Sequence, residues 1–209
     1  MKISHTILKR IHYVSGLIIS TFAALHLYNH VCGILGADKH IEIMNSLRVV
    51  YRNIFFETIL LIAVTVQILS GLTFFIAKKR TTTSGFDKLQ LWSGLYLAIF
   101  FIIHVGAVFV GRFLHLDTNF FFGVAGLNTF PVNLFFIPYY ALAIISFFGH
   151  IACIHNTRMK RTVLGLTPDQ QSKTILLLGV CLTLVIFYGL TNRFKGVEIP
   201  EQYKILISK

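Results

Sequence analysis

The spacing of its charges constrains this chain more than any other feature. Between Arg10 and Asp38 lie 27 residues without Asp, Glu, Lys or Arg, and between Glu57 and Lys78 lie another 20. Both stretches are rich in Leu, Ile, Val and Phe. A helix rises about 1.5 Å per residue, so each stretch is long enough to cross a hydrocarbon core of about 30 Å. Comparable windows follow from Leu89 to about Val110, from about Pro131 to Ile154 and from Thr174 to Asn192. The reading is an all-α integral membrane protein, a bundle of five transmembrane helices. They are expected at about 11–35, 54–77, 89–112, 131–155 and 174–192, within one membrane domain over 1–209.

Composition excludes the main alternatives. Charged residues make up 13% of the chain against 55% hydrophobic, with a mean hydropathy of +0.72, too little polar surface to wet a soluble globule. Twenty Phe exceed what one small core buries, whereas a lipid-facing surface uses them freely. The net charge of +11 is scattered between apolar runs, so no nucleic-acid partner is expected and membrane lipid is. Three Cys with no CxxC spacing set no disulfide framework. Lys2, Lys9 and Arg10 before an apolar run resemble the start of a signal peptide. No small-residue cleavage site follows, and His26, Asn29 and His30 interrupt the run, so it reads as an uncleaved helix.

Lys and Arg number 11 on the side of the amino terminus and 8 on the other, counting Lys2 and Lys209. Cytoplasmic loops carry the excess, which predicts an amino terminus inside and a carboxyl terminus outside; separately, a bacterial inner membrane is the expected location. The Phe-rich connection from Phe113 to Phe130 is expected to lie in the outer interface as a partly folded lid.

The histidines carry the chemistry, because an ionisable side chain inside a bilayer is costly and marks a site by default. His26 lies sixteen residues beyond Arg10, and His104 sixteen beyond Lys88. Both imidazoles therefore stand ~24 Å above the same face. Two imidazoles at one level are what a haem clamped between two helices requires; the bland alternative is two unrelated interhelical hydrogen bonds. No third or fourth ligand of Cys, Asp or Glu type suggests zinc at that depth. His150 and Gln67 face a lower level, roughly 12 to 16 Å above that face. There His150 suits an open-coordinate haem, a quinone or a simple hydrogen bond to Gln67. His12, nearly on the face of His26, suits a haem propionate or an interfacial imidazole. His30 and His155 are second choices as ligands. Glu57, at the outer end of the second helix, is either a proton acceptor for a quinol or an interfacial partner of Arg52 or Arg48. Arg52 and Arg112 are candidates to neutralise haem propionates, with interfacial arginine as the alternative. Tyr13, Tyr51 and Trp92 fit aromatic belts.

The run Arg10-Ile11-His12, then Gly16, then His26, with Glu57 opening the next helix, resembles the single-polypeptide cytochrome b anchor of succinate dehydrogenases and fumarate reductases. The resemblance covers nearly the whole chain. It implies five membrane helices, the first four around two b haems, a menaquinone-like quinone site, and docked flavoprotein and iron-sulfur subunits on the cytoplasmic side. On this resemblance His26 and His104 hold the distal haem and His150 the proximal one. The remaining proximal ligand falls on Gln67, four residues before Gly71, where the family writes His-x-x-x-Gly. Beside a purely structural membrane protein without cofactor, for which the depth match of His26 and His104 is accidental, two functions stay open. One is an electron-transfer subunit of a succinate:quinone oxidoreductase-like complex, working between quinone and a dehydrogenase partner. The other is a stand-alone membrane haem protein acting as sensor, haem carrier or small oxidoreductase.

Overall fold

The computed structural model describes residues 4–82 and 84–207, so Lys2 and Lys209 lie outside the described residues. Five helices are long and apolar enough to cross a membrane: α1 (His5–Cys32), α3 (Ile54–Lys78), α4 (Gly85–Phe113), α6 (Asn133–Arg158) and α7 (Pro168–Leu190). Two shorter helices, α2 (Ala37–Tyr51) and α5 (Phe120–Val124), join them, and no strand occurs among the described residues. α1 begins six residues before the expected 11, and α7 six before the expected 174. Local chemistry explains the second extension: the Thr167 hydroxyl and the Gln170 side chain cap each other's backbone N–H groups, and Pro168 occupies the first turn, where its missing donor is harmless. Ser84 starts α4 by accepting from the Asp87 amide at 3.1 Å, and Asn53 starts α3 by accepting from Phe55 at 3.0 Å.

The spanning helices pack in a ring. α1 lies on α3, α3 on α4, α4 on α6, α6 on α7, and α7 returns to α1. Only 11% to 28% of the residues in each span's most apolar window are buried inside the protein, which leaves side chains such as Leu17, Leu69, Ile102 and Leu177 for lipid. Where α7 meets the turn after α1, the backbones touch. A Cβ on Gly189 would sit 2.7 Å from the Ile34 nitrogen and 2.8 Å from the Gly33 carbonyl carbon.

The end of the bundle opposite the amino terminus is capped. α2, α5 and a 3₁₀ turn (Glu201–Leu206) lie there, over a cluster of Phe120, Val124, Leu127, Ile144, Ile186, Phe187 and Leu190. Tyr203 is completely buried, with its hydroxyl 3.0 Å from both the Asp117 carbonyl and Asn119 Oδ1. The 113–130 connection therefore contains a short helix in a packed layer, and the chain after α7 folds back to complete that layer.

Candidate functional site

Two groups of polar side chains occupy the bundle interior. The upper group, toward the capped end, contains His26 and His30 of α1, His40 of α2 and His104 of α4. The ring centroids of His26 and His104 are 6.0 Å apart, with the planes at 69°. Each ring has an aromatic stacked on it: Phe22 on His26 at 5.5 Å and Phe100 on His104 at 4.9 Å. These flat contacts fix the imidazole orientations that the helix backbones alone leave free. The two histidines that share a level by residue count thus stand side by side in the bundle.

Neither His104 nitrogen has a hydrogen-bond partner among the described residues. The sealed polar side-chain atoms without partners are Asn29 Oδ1, His40 Nδ1, Asn133 Oδ1 and Tyr139 Oη. The His104 nitrogens are not among them and so are not sealed. His26 is engaged differently. Its Nε2 lies 3.2 Å from His30 Nε2, His30 Nδ1 lies 3.2 Å from His40 Nε2, and the Asn29 amide nitrogen is also 3.2 Å from His40 Nε2. An amide nitrogen only donates, so His40 Nε2 accepts; His30 then donates from Nδ1 and accepts at Nε2 from His26. His30 is a direct partner of His26, closer to the site than its second rank in the sequence suggested. His40 escaped sequence reasoning because it belongs to α2, a segment between apolar windows. Its signal was the four-residue spacing to Met44, the other buried residue of α2.

His40 is 2% exposed. Burial, then repulsion by His26 and Arg48, pushes its pKa down to about 4 from the usual 6.5. The unfolded chain therefore takes up the proton first, so the contribution of neutral His40 is complete above pH 6.5 and is lost as pH falls from 6.5 to 4. The expected result is a thermal midpoint in detergent that drops across this window, with a smaller drop in His40→Gln than in the unsubstituted protein. Equal slopes in the two proteins would show that His40 does not titrate with unfolding.

At the capped end, Arg112 Nη1 donates to Glu57 Oε1 at 2.5 Å, with side chains 35% and 22% exposed. The expected partners of Glu57, Arg48 and Arg52, are engaged elsewhere. Arg48 takes Asp117 at 2.7 Å, and Arg52 donates to Thr118 Oγ1 at 2.7 Å. The reason is geometric: α3 and α4 are ring neighbours, whereas Arg48 of α2 and Arg52 just after it are turned toward the segment that follows α4. Of the two arginines proposed for propionates, Arg112 is thus neutralised by Glu57, and Arg52 has no acid within ion-pair distance among the described residues.

At the lower level lie two hydrogen-bonded sets: His12 and Ser15 of α1 with Gln67 and Ser70 of α3, and His150 of α6 with Gln90 and Ser93 of α4. Gln67 does not turn to His150. Its amide donates to the His12 carbonyl and, at 2.9 Å, to Ser15 Oγ. His12 Nδ1 lies 2.7 Å from Ser70 Oγ, and His150 Nδ1 lies 3.1 Å from the Gln90 carbonyl and 3.3 Å from Ser93 Oγ. Ser15, Ser70 and Ser93 are all buried and were not singled out from the sequence, since a serine in an apolar window carries no periodic signal. His155 is tied to Gln171 at 2.9 Å, away from either group. Compared with known protein families, with curated proteins and with solved structures, the chain matches none.

Proposed function

We propose that this chain is a membrane cytochrome that holds haem b between His26 and His104 and carries electrons between a quinone pool and a partner at the amino-terminal end of the bundle. The single observation behind this reading is the spacing of the two imidazoles. The ring centroids of His26 and His104, from two facing helices, stand 6.0 Å apart, so the pair would be the residues that hold the iron of a haem. The unpartnered, unsealed nitrogens of His104 suit a ligand role. His26 would exchange its hydrogen bond to His30 for a bond to the metal, and His30 with His40 would remain as the polar layer behind it. When bound, haem supplies a one-electron centre whose potential is tuned by axial ligands and burial.

The chain's own residues do the rest. Phe22 and Phe100 hold the two imidazoles face-on to aromatic rings, and the capping layer shuts the site from the aqueous side. Glu57, held by Arg112, is the acid positioned to take a proton from a quinol at that end; Arg52 is the guanidinium left to meet a propionate. The partner in the first reading is a flavoprotein and iron-sulfur pair of the succinate dehydrogenase or fumarate reductase kind. The stand-alone reading draws support from Gln67, which is spent on α1 and does not face His150 as an axial ligand would. Affinity purification from native membranes separates the two: a co-purifying flavin and iron-sulfur dimer supports the first, and a chain that carries haem alone supports the second.

Orientation belongs to the same proposal, with the amino terminus in the cytoplasm of a bacterial cell. Impermeant maleimide applied from outside is expected to label a cysteine placed at Lys204 and to spare one placed at Lys79. The reverse pattern would turn the protein over and move any soluble partner to the other side.

A further inference from the structure

The two ends of the bundle differ sharply in charge. Of the 19 Lys and Arg, Lys2 and Lys209 lie outside the described residues, ten stand at the amino-terminal end and seven at the capped end. Of the eight acids, only Asp87 and Asp169 stand at the amino-terminal end, and six stand at the other. Both of the former are engaged, Asp169 by Lys173 at 2.7 Å and Asp87 by the Ser84 hydroxyl at 2.6 Å. Arg10, exposed on α1, has no acid within ion-pair distance among the described residues.

Arg10 also lines the amino-terminal end of a lipid-facing groove of about 380 Å³ between α1 and α3. Val14 and Ile18 of α1 and Ile62 and Val66 of α3 form its walls, and the buried Ser15 and Ala63 form its floor. A second groove, of about 290 Å³, runs along α3 from Thr58 to Val66. Ile62 and Val66 line both grooves and stand one turn apart on one face of the helix. At about 100° per residue, Ile59 and Ala63 of the first groove lie on one side of that row, and Leu61 and Thr65 of the second on the other. The row is therefore a ridge between two grooves. Each runs for about eight residues, or about 12 Å, close to half of a hydrocarbon core of about 30 Å.

We infer that this face of the α1–α3 pair holds a diacyl anionic phospholipid, its phosphate on the Arg10 guanidinium and its two acyl chains in the grooves on either side of the Ile62–Val66 ridge. A guanidinium presents paired N–H donors that match two phosphate oxygens, and no carboxylate among the described residues competes for this one. Two grooves beside one ridge fit a lipid with two chains, whereas a single-chain amphiphile fills only one. The excess of cations at this end attracts anionic head groups to its leaflet. A zwitterionic head group would bring its own ammonium among those cations. No histidine lines either groove, so the site is independent of haem.

The test is native mass spectrometry of the purified full-length chain, delipidated in detergent and titrated with phosphatidylglycerol or with phosphatidylcholine of identical chains. The first phosphatidylglycerol is expected to bind about fivefold more tightly than the first phosphatidylcholine, the effect of one well-placed cation on an anionic lipid. Arg10→Gln is expected to abolish that preference. Lys160→Gln, an equal loss of charge at the same end but outside the grooves, is expected to keep it. Ile62→Trp leaves every charge in place and enlarges the ridge, so it should weaken both lipids; Leu69→Trp, similarly exposed on α3 but outside the grooves, should weaken neither. These exposed positions serve if Arg10→Gln does not fold. Equal affinity for the two lipids, or equal losses in Arg10→Gln and Lys160→Gln, would reduce the effect to diffuse attraction and overturn the site. Unchanged binding in Ile62→Trp, or lysophosphatidylglycerol binding as tightly as the two-chain lipid, would overturn the placement of the chains. Full displacement of phosphatidylglycerol by inorganic phosphate would show an ion site in place of a lipid site.

Discussion

If the pair holds haem as proposed, replacing His26 or His104 with alanine is expected to abolish the low-spin spectrum, leaving either a high-spin species that binds carbon monoxide or no haem at all. The expectation follows from the nature of the site. The two imidazoles come from separate helices, α1 and α4, that face each other across the ring, so no neighbouring side chain on either helix can replace a lost one without turning it. His30 is the one test of that statement. It lies on the same face one turn further out, 3.2 Å from His26 Nε2, and is already tied to His40. If His26→Ala kept a low-spin spectrum that His26→Ala/His30→Ala lost, the axial ligand would be His30. If both single variants at 26 and 104 kept the full spectrum, haem would not be held by this pair. Reduced-minus-oxidised absorbance, with haem quantified per chain, reads all of these outcomes.

The second large effect concerns assembly. Gly189→Val is expected to prevent the closure of the ring between α7 and α1. Valine would place its Cβ within 2.7 to 2.8 Å of the backbone at Gly33 and Ile34, and backbone cannot rotate away as a side chain can. The helices must separate, and the cluster around Phe187 and Leu190 opens with them. The cost is on the order of 3 kcal/mol or more, a large part of a small domain's stability. Gly106→Ala is the control, because a Cβ there meets nothing within 4 Å. Thermal unfolding in detergent should show a steep loss for the first and little change for the second. Equal behaviour would mean that α7 packs on α1 elsewhere along its length.

His26 and His104 show how far spacing in the sequence reaches. Depth along a spanning helix is a linear function of residue number, so two histidines sixteen residues from charges on one face must share a level. Which way they point, and what they touch, depends on the rotation of each helix about its axis, which the neighbouring helices set. Gln67 illustrates the failure. Its depth placed it opposite His150, but packing of α1 on α3 turned its amide to the His12 carbonyl and Ser15, so two residues at one level do not meet.

By itself, then, the sequence determined the five spans, because an uncharged apolar run can satisfy its backbone in lipid only as a helix, and it determined the levels of His26 and His104 within them. Tertiary structure alone decided the partners. Glu57 pairs with Arg112 of the next helix in the ring and not with the arginines nearest in sequence, and His40 is brought onto His30 by a helix outside the spans. It also decided which nitrogen of His12 and of His150 is engaged. That outcome depends on the Ser70 hydroxyl of α3 beside His12 and the Gln90 carbonyl of α4 beside His150, and no local pattern in the chain encodes their approach.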